Sequence, residues 1–215
     1  GAERIELGHL QEALQQRALR YDKAGEEHYN IISAFIKSLR GSDADAALYW
    51  MMRMLDAGED PLFVARRMVI FAAEDIGNAD PRALQVAVAA KDAFHFVGLP
   101  EGRIPLAQAA TYLATAPKSN AVYTAFKAAM RLAKEGGSLP PPKHILNAPT
   151  KLMKQEGYGT GYRYDHDEPD AFSGQNYWPE AIGRQKLYEP VERGFERELH
   201  KRLDYWAKLR RERGE

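Results

Sequence analysis

The chain has 215 residues with 30 basic and 30 acidic side chains, so its formal net charge at pH 7 is zero. A neutral molecule projects no strong field, and any binding to nucleic acid must come from a local basic patch. Cysteine is absent, which excludes disulfides, thiolate metal sites and a cysteine nucleophile. No run of about 18 uncharged apolar residues occurs, so we expect no membrane partner.

Helical patterns fill the first 135 residues, and strand-like alternation is missing. The predicted helices cover residues 3–20, 26–39, 43–57, 61–75, 81–97, 105–116 and 119–135. Gly41 is expected to end the second helix in a left-handed conformation, and Ser42 to cap the third. Asp60 and Asp80 each precede a proline, a pair typical of an N-cap followed by the first helical residue. Helix 119–135 is expected to bury Val122, Phe126, Met130 and Ala133.

The composition changes after residue 135. Residues 136–190 are rich in Gly, Pro, Tyr and Asp, and only 144–155 could form a short helix. A loop segment this long is usually functional or wraps a surface. The tail, 190–213, is predicted to be helical again. The fold class is therefore all-α: a helical bundle, a long Gly/Pro/Tyr-rich loop segment and a C-terminal helix.

Motifs for catalysis are weak in this sequence. No Gly-Lys dipeptide occurs, which excludes a phosphate-binding P-loop. Glu74 and Asp75 follow an apolar run as Mg²⁺-binding acids would, but the helical pattern favours a buried helix whose acids pair near its end. Residues 165–168 combine metal-ligating types, yet neighbours in an extended loop point apart, which favours a solvated acidic turn. Ser138 lacks the glycine that completes a nucleophile elbow, although a triad assembled in space stays open.

The strongest local signal lies between residues 143 and 164, where basic residues outnumber acids and tyrosines alternate with glycines. Basic groups neutralise phosphates, tyrosine rings stack on unpaired bases, and glycines let backbone N–H groups approach an anion. The candidate DNA-binding residues are Lys143, Lys151, Lys154, Arg163, Tyr158 and Tyr162. The alternative is a tyrosine-rich loop that packs on the bundle and leaves its lysines in solvent.

A second candidate surface lies on the helix over 43–57. Tyr49, Trp50, Met51 and Met52 make that helix apolar around its whole circumference. Such a helix is either central in the bundle or half inside a subunit interface. These four residues are therefore the candidates for an oligomer interface.

Several longer sequence segments of the chain resemble those of a known family. They are 38–50 (SLRGSDADAALYW), 58–61 (GEDP), 73–77 (AEDIG), 116–121 (APKSNA), 147–154 (NAPTKLMK), 157–159 (GYG) and 164–167 (YDHD). In this order they resemble the MgsA/RarA family, the replication-associated recombination AAA+ ATPases, which are related to the clamp loader and to the Werner-helicase-interacting protein. The likeness covers nearly the whole chain and is weakest beyond about residue 190. Since the first residue is Gly rather than Met, we expect a piece of a longer protein.

The resemblance implies a division and a function. Residues 1–57 would end the AAA-associated helical region, and 58–215 would form the C-terminal oligomerisation domain, similar to the clamp-loader collar. In the family this domain assembles a homotetramer that acts on DNA in replication, recombination and stalled-fork maintenance. DNA, a second copy of the chain and single-stranded-DNA-binding protein are the implied partners, and a bacterial cytoplasmic, nucleoid-associated location follows.

The resemblance also assigns the catalysis elsewhere. The Walker motifs belong to the family's N-terminal part, so we expect no catalytic activity, cofactor or metal in this chain, with ATP and Mg²⁺ bound only in the missing part of a DNA-dependent ATPase. The alternative functions are a monomeric helical nucleic-acid-binding domain, and a hydrolase or metal enzyme.

Overall fold

The computed structural model describes residues 26–213, so the helix predicted over 3–20 lies outside the described residues. Every regular element in that range is helical, which confirms the all-α prediction. The chain divides into two compact units, the first ending at Asn120 and the second beginning at Ala121. Within 26–213 no helix has both the length and the apolar character needed to cross a membrane.

The first unit is a bundle around one apolar core. Its helices are α1 (Glu26–Arg40), α2 (Ala44–Asp56), α3 (Pro61–Phe71), α4 (Arg82–Val97) and α5 (Arg103–Thr115). Fully buried aromatic, aliphatic and thioether side chains fill the centre, namely Phe35, Leu39, Met51, Met54, Met68, Phe71, Leu106 and Leu113. Alanines line the facing sides of α4 and α5, among them Ala83, Ala87, Ala109 and Ala110. Because alanine is small, these two helices approach closely.

The start of α2 differs by one residue from the expected cap. Asp43, not Ser42, is the N-cap, and its carboxylate accepts a hydrogen bond of 2.9 Å from the Ala46 N–H. Ser42, not Gly41, adopts the left-handed conformation, with φ of 61°. The N-cap is therefore a charged acceptor, and its negative charge interacts favourably with the positive end of the helix dipole.

The Asp60-Pro61 pair starts α3 as predicted, whereas α4 begins at Arg82, one residue later than the Asp80-Pro81 pair predicts. Asp60 accepts a hydrogen bond from the Leu62 N–H at the start of α3. Asp80 accepts one from the Arg82 N–H at the start of α4, and its second oxygen accepts one from the Tyr112 hydroxyl of α5. Asp80 therefore binds the start of α4 and ties it to α5.

A π-helical turn, Ala72–Ile76, continues α3 and was not foreseen. The Asp75 carboxylate pairs with the Arg40 guanidinium at the end of α1, in line with the predicted pairing of these acids. The Asp75 carbonyl accepts a hydrogen bond of 2.8 Å from the Ser119 N–H. Lys118 donates to the Ala114 and Ala116 carbonyls, so its ammonium caps the negative end of α5.

The second unit contains little regular structure. Its helices are α6 (Ala121–Gly136), α7 (Lys151–Gln155) and α8 (Glu196–Glu212), with short 3-10 turns between α6 and α8. The helix predicted over 144–155 is thus reduced to one short helix and a 3-10 turn, and the terminal helix begins later than residue 190. Glu196 explains the later start, because its buried carboxylate accepts hydrogen bonds from the Tyr188 hydroxyl and the Val191 N–H.

The prediction that α6 buries Phe126 and Met130 is wrong for this chain: their exposed fractions are 56% and 58%. Val122 is half-buried and Ala133 is exposed. The amphipathic pattern did identify an apolar face, but nothing in the described second unit covers it. Polar side chains, Ser173, Gln175 and Glu196, are buried in this unit instead.

Candidate interaction surfaces

An exposed apolar patch surrounds the turn between α4 and α5. We call it the corner patch and define it as Phe96, Val97, Leu99 and Ile104. The exposed fractions of Phe96, Leu99 and Ile104 are 92%, 58% and 69%. Large apolar side chains at this level of exposure, close together in the chain, are typical of a surface that binds another protein.

The turn that carries the corner patch is tight and depends on glycine. Gly98 ends α4 with φ of 76°, a conformation that favours glycine. The Gly102 N–H donates to the Gly98 carbonyl at 2.6 Å. A Cβ at residue 102 would lie 2.5 Å from the Gly98 oxygen and 2.8 Å from the Phe94 ring, so a larger residue would force the turn to open.

The α6 face is a second exposed apolar surface, which we define as Tyr123, Phe126 and Met130. These residues follow one another at spacings of three and four and lie on one side of the helix. Lys127 lies over the Tyr123 ring, with 5.2 Å between its Nζ and the ring centroid. This face combines apolar area with positive charge.

The structure separates the four candidates for the oligomer interface on α2. Met51 belongs to the core of the first unit and offers no surface to a partner. Trp50 and Met52 are half-buried and pack against that core. Tyr49 is exposed and contacts the Trp50 ring edge-on. The apolar circumference of α2 is therefore explained mainly by its central position, and the corner patch is the surface that sequence reasoning missed.

Two of the candidate DNA-binding cations are tied to backbone carbonyls. Lys143 Nζ donates to the Glu156 carbonyl at 3.1 Å, and Arg163 Nη2 donates to the Ser173 carbonyl at 2.8 Å. Arg163 is also half-buried, so it holds the loop together. Lys151 and Lys154 are exposed on α7. The two lysines of α7 are thus the cations with most freedom to contact phosphates.

The two candidate tyrosines also differ. Tyr162 is exposed. Tyr158 is half-buried and lines a cavity of about 420 Å³ together with Lys143, Pro179 and the prolines at 140–142. Tyr162 can offer its ring to a base, whereas Tyr158 packs within the loop segment.

Most N–H groups of the loop glycines stabilise the loop itself and are therefore not free to bind an anion. Gly157, Gly159 and Gly161 all have positive φ, between 72° and 82°. The N–H groups of Gly157 and Gly159 donate to the carbonyls of Lys154 and Lys143. Among the described residues, only the Gly161 N–H of these three has no hydrogen bond.

The acidic turn at 165–168 is held by hydrogen bonds to Asp165. Asp165 Oδ1 accepts bonds from the backbone N–H and the hydroxyl of Ser173, and Oδ2 accepts one from the Tyr177 hydroxyl. The bonds from Ser173, then the one from Tyr177, hold the pKa of the Asp165 carboxyl below its ordinary value. Within residues 26–213 no three His, Asp or Glu side chains are grouped to hold a metal ion.

Comparisons with known proteins agree with the resemblance. A family model described as "MgsA AAA+ ATPase C terminal" matches residues 41–207, and one described as "AAA C-terminal domain" matches residues 1–40. Replication-associated recombination protein A of Haemophilus influenzae is 54% identical over 91% of this chain and 44% of that protein. The Escherichia coli K12 protein of the same name is 53% identical over 92% of this chain and 44% of its own length. ATPase WRNIP1 of Dictyostelium discoideum is 47% identical over 82% of this chain and 20% of that protein.

The chain spans less than half the length of these curated relatives. The two family matches meet between residues 40 and 41. The structure divides after residue 120, and the division predicted at 57/58 stays a prediction. Since the first family model covers most of the chain, the protein belongs to the MgsA AAA+ ATPase C-terminal family.

Proposed function

We propose that this chain is the non-catalytic assembly and DNA-engaging part of an AAA+ ATPase that acts in replication and recombination. It would join copies of the ATPase into a homotetramer and add weak DNA contacts, which multivalency strengthens. The names of its relatives support the setting, and the exposed apolar corner patch is the observation that carries self-association.

The corner patch favours self-association on energetic grounds. Burial of one large apolar side chain contributes about 1.5–3 kcal/mol. Phe96, Leu99 and Ile104 together could thus supply several kcal/mol at each contact, and obligate interfaces resemble a core cut in half. The α6 face adds a second surface of the same kind. The second unit has few buried apolar side chains, so it would gain stability if another copy of the chain covered the α6 face.

Mutation of the corner patch tests this role. The triple variant F96S/L99S/I104S removes exposed side chains, so the monomer should fold, while its dissociation constant should rise about a thousandfold or more. Leu152→Ser, which removes an equally exposed apolar side chain from α7, is the matched control. Light scattering on both proteins checks the prediction. An unchanged assembly in the triple variant would remove the corner patch from the interface.

Contact with DNA is the second part of the proposal. Exposed Lys151 and Lys154 on α7 and the exposed Tyr162 ring support it. Lys143, Arg163 and Tyr158 stay in the candidate set, but their contacts within the loop give them a structural role as well. Single-stranded-DNA-binding protein remains a further proposed partner.

Salt dependence separates phosphate contacts from stacking. The variant K151A/K154A should weaken DNA binding and lower the salt slope by about two, because each lost phosphate contact releases one counterion fewer. Tyr162→Phe keeps the ring and should preserve binding to single strands, whereas Tyr162→Ala should weaken it with the slope nearly unchanged. Fluorescence anisotropy at several salt concentrations measures both. Unchanged affinity and slope in K151A/K154A would refute the DNA contact on α7.

Arg163 tests the alternative role of the loop. Arg163→Ala should lower the melting temperature, because the Ser173 carbonyl loses its charged donor. If Arg163 also contacts DNA, the affinity measured well below that melting temperature falls as well. Equal affinity at low temperature assigns Arg163 to the fold alone.

The runner-up function is a monomeric helical domain that binds nucleic acid. It shares the lysines of α7 with the first proposal and differs in assembly only. A single-chain mass together with DNA binding would select it. The ATPase activity, ATP and Mg²⁺ are proposed for the part of the protein outside this chain.

A further inference from the structure

A polar cavity of about 670 Å³ lies within the second unit. It is lined by His144, Thr160, Gly161, Gln175, Asn176 and Arg184. One lining residue is a cation, and none carries a carboxylate. This charge balance favours an anionic ligand.

The side-chain oxygens of the two lining amides, Gln175 and Asn176, are already occupied. Gln175 Oε1 accepts the Arg163 N–H at 2.9 Å, and its Nε2 donates to the Gly161 carbonyl at 2.8 Å. Asn176 Oδ1 accepts the Trp178 N–H at 3.2 Å. A cation needs oxygen acceptors, and the two amide oxygens of the lining already accept hydrogen bonds from backbone N–H groups.

Donors in the same cavity remain available. The His144 ring lines the cavity, and its enclosed Nε2 has no hydrogen-bond partner among the described residues, so a turn of the ring would present it to a ligand. The Gly161 N–H and the Thr160 hydroxyl are likewise unpaired within residues 26–213. Arg184 uses one nitrogen to donate to the Gln175 carbonyl at 3.3 Å, and in the described chain its guanidinium forms no ion pair. An unpaired buried ring nitrogen is unfavourable unless a ligand or water completes it.

The Gly161 backbone and the Arg184 side chain are also held in place. The Gln175 side chain is buried, with 7% of its surface exposed, and its amide nitrogen holds the Gly161 carbonyl. The Gln175 backbone carbonyl in turn holds the Arg184 guanidinium. Preorganised donors cost less entropy when a ligand binds. An Arg, a backbone N–H, a hydroxyl and an imidazole are the groups that proteins use to hold a phosphate.

We propose that this cavity binds a phosphate group. The same chemistry could come from the backbone or 5′ end of a single-stranded DNA, or from a free phosphate compound. The DNA source rests on the function proposed above, whereas phosphate binding itself does not.

Inorganic phosphate is the first probe. The ³¹P line of phosphate should broaden when the whole 215-residue chain is added, at constant ionic strength set with sodium chloride. Arg184→Gln and His144→Gln should weaken phosphate binding about tenfold, which corresponds to the loss of one charge-assisted or buried hydrogen bond. Lys186→Gln is the matched control, because Lys186 is a nearby exposed cation that pairs with Glu189 outside the cavity. No broadening by the wild-type chain, or equal broadening by Arg184→Gln, would overturn the proposal.

Oligonucleotides then identify the source. If the phosphate belongs to DNA, Arg184→Gln weakens anisotropy-detected binding of a single strand, and inorganic phosphate competes with it. If Arg184→Gln leaves oligonucleotide affinity unchanged but abolishes the broadening, the ligand is a free phosphate compound. A wild-type chain that broadens the phosphate line and binds no DNA contradicts DNA engagement and leaves the phosphate site supported.

Discussion

Removal of the Asp80 carboxylate should destabilise the first unit by about 2–4 kcal/mol. Loss of the hydrogen bond from the Arg82 N–H at the start of α4 costs about 1 kcal/mol, and loss of the bond from the Tyr112 hydroxyl, made to a charged group, costs about 1.5–3 kcal/mol. Asp80 has only 8% of its surface exposed, so water replaces these bonds poorly. Because Asp80 joins α4 to α5, its removal also loosens the two helices that carry the corner patch.

Urea denaturation of Asp80→Ala, followed by circular dichroism at one protein concentration, measures this loss. Tyr112→Phe should remove only the second contribution, and the double variant should cost less than the sum of both single variants, because the two groups share one bond. Asp92→Ala is the matched control: Asp92 is exposed and pairs with its neighbour Lys91, so its loss should stay below about 0.5 kcal/mol. A loss below about 0.5 kcal/mol in Asp80→Ala, or strict additivity with Tyr112→Phe, would show that Asp80 does not join α4 to α5.

The pH dependence of the same site has a definite sign. Burial alone would raise the pKa of the Asp80 carboxyl, but hydrogen bonds from Arg82 and Tyr112 outweigh it and lower the pKa below its ordinary value. The stabilisation is therefore complete above the unfolded pKa of about 3.9 and is lost as the pH falls through the lower folded pKa. The stability difference between the wild type and Asp80→Asn should shrink over that acidic range. A difference that stays constant down to the acid transition would contradict the assignment.

Three further outcomes follow from the same structure. Glu196→Ala should destabilise the second unit by about 2–4 kcal/mol, because the Tyr188 hydroxyl and the Val191 N–H lose a charged buried acceptor; equal urea midpoints would contradict this. Ser173→Ala should cost about 1–2 kcal/mol at neutral pH, and the cost should decline as acid protonates Asp165, whose folded pKa is lowered; a cost that grows in acid would reverse the sign. Calorimetry in excess inorganic phosphate, which occupies the cavity of the second unit, should detect no micromolar binding of ATP, since no P-loop occurs; a micromolar isotherm would disprove this.

Local signals explain which parts of the fold the sequence could predict. The Asp-Pro pair at 60–61 fixes the start of α3 through one side chain and one ring, and both act within two residues. The cap of α2 moved from Ser42 to Asp43, because two capping residues are adjacent and only the final backbone conformation selects between them. The amphipathic face of α6 was recognised, but periodicity does not tell whether the same unit or another chain covers it.

Long-range contacts explain what the sequence could not predict in the candidate site. Arg163 was a DNA candidate on local charge, but its guanidinium reaches the Ser173 carbonyl ten residues away in the chain. Met51 was an interface candidate on local pattern, but the packing of α2 in the centre of the first unit buries it. The corner patch had a weak local signal, an apolar run that continues past the end of α4. The donor-lined cavity joins residues 144, 160–161, 175–176 and 184, and no spacing rule predicts such a set.

The proposal that this chain self-associates is tested by its molar mass in solution. Multi-angle light scattering should give a mass near four times 24.2 kDa at tens of micromolar protein, an ordinary range for such interfaces. A mass that falls toward 24.2 kDa in F96S/L99S/I104S but not in Leu152→Ser would assign the contact to the corner patch. A mass of 24.2 kDa for the wild-type chain at that concentration would contradict the claim.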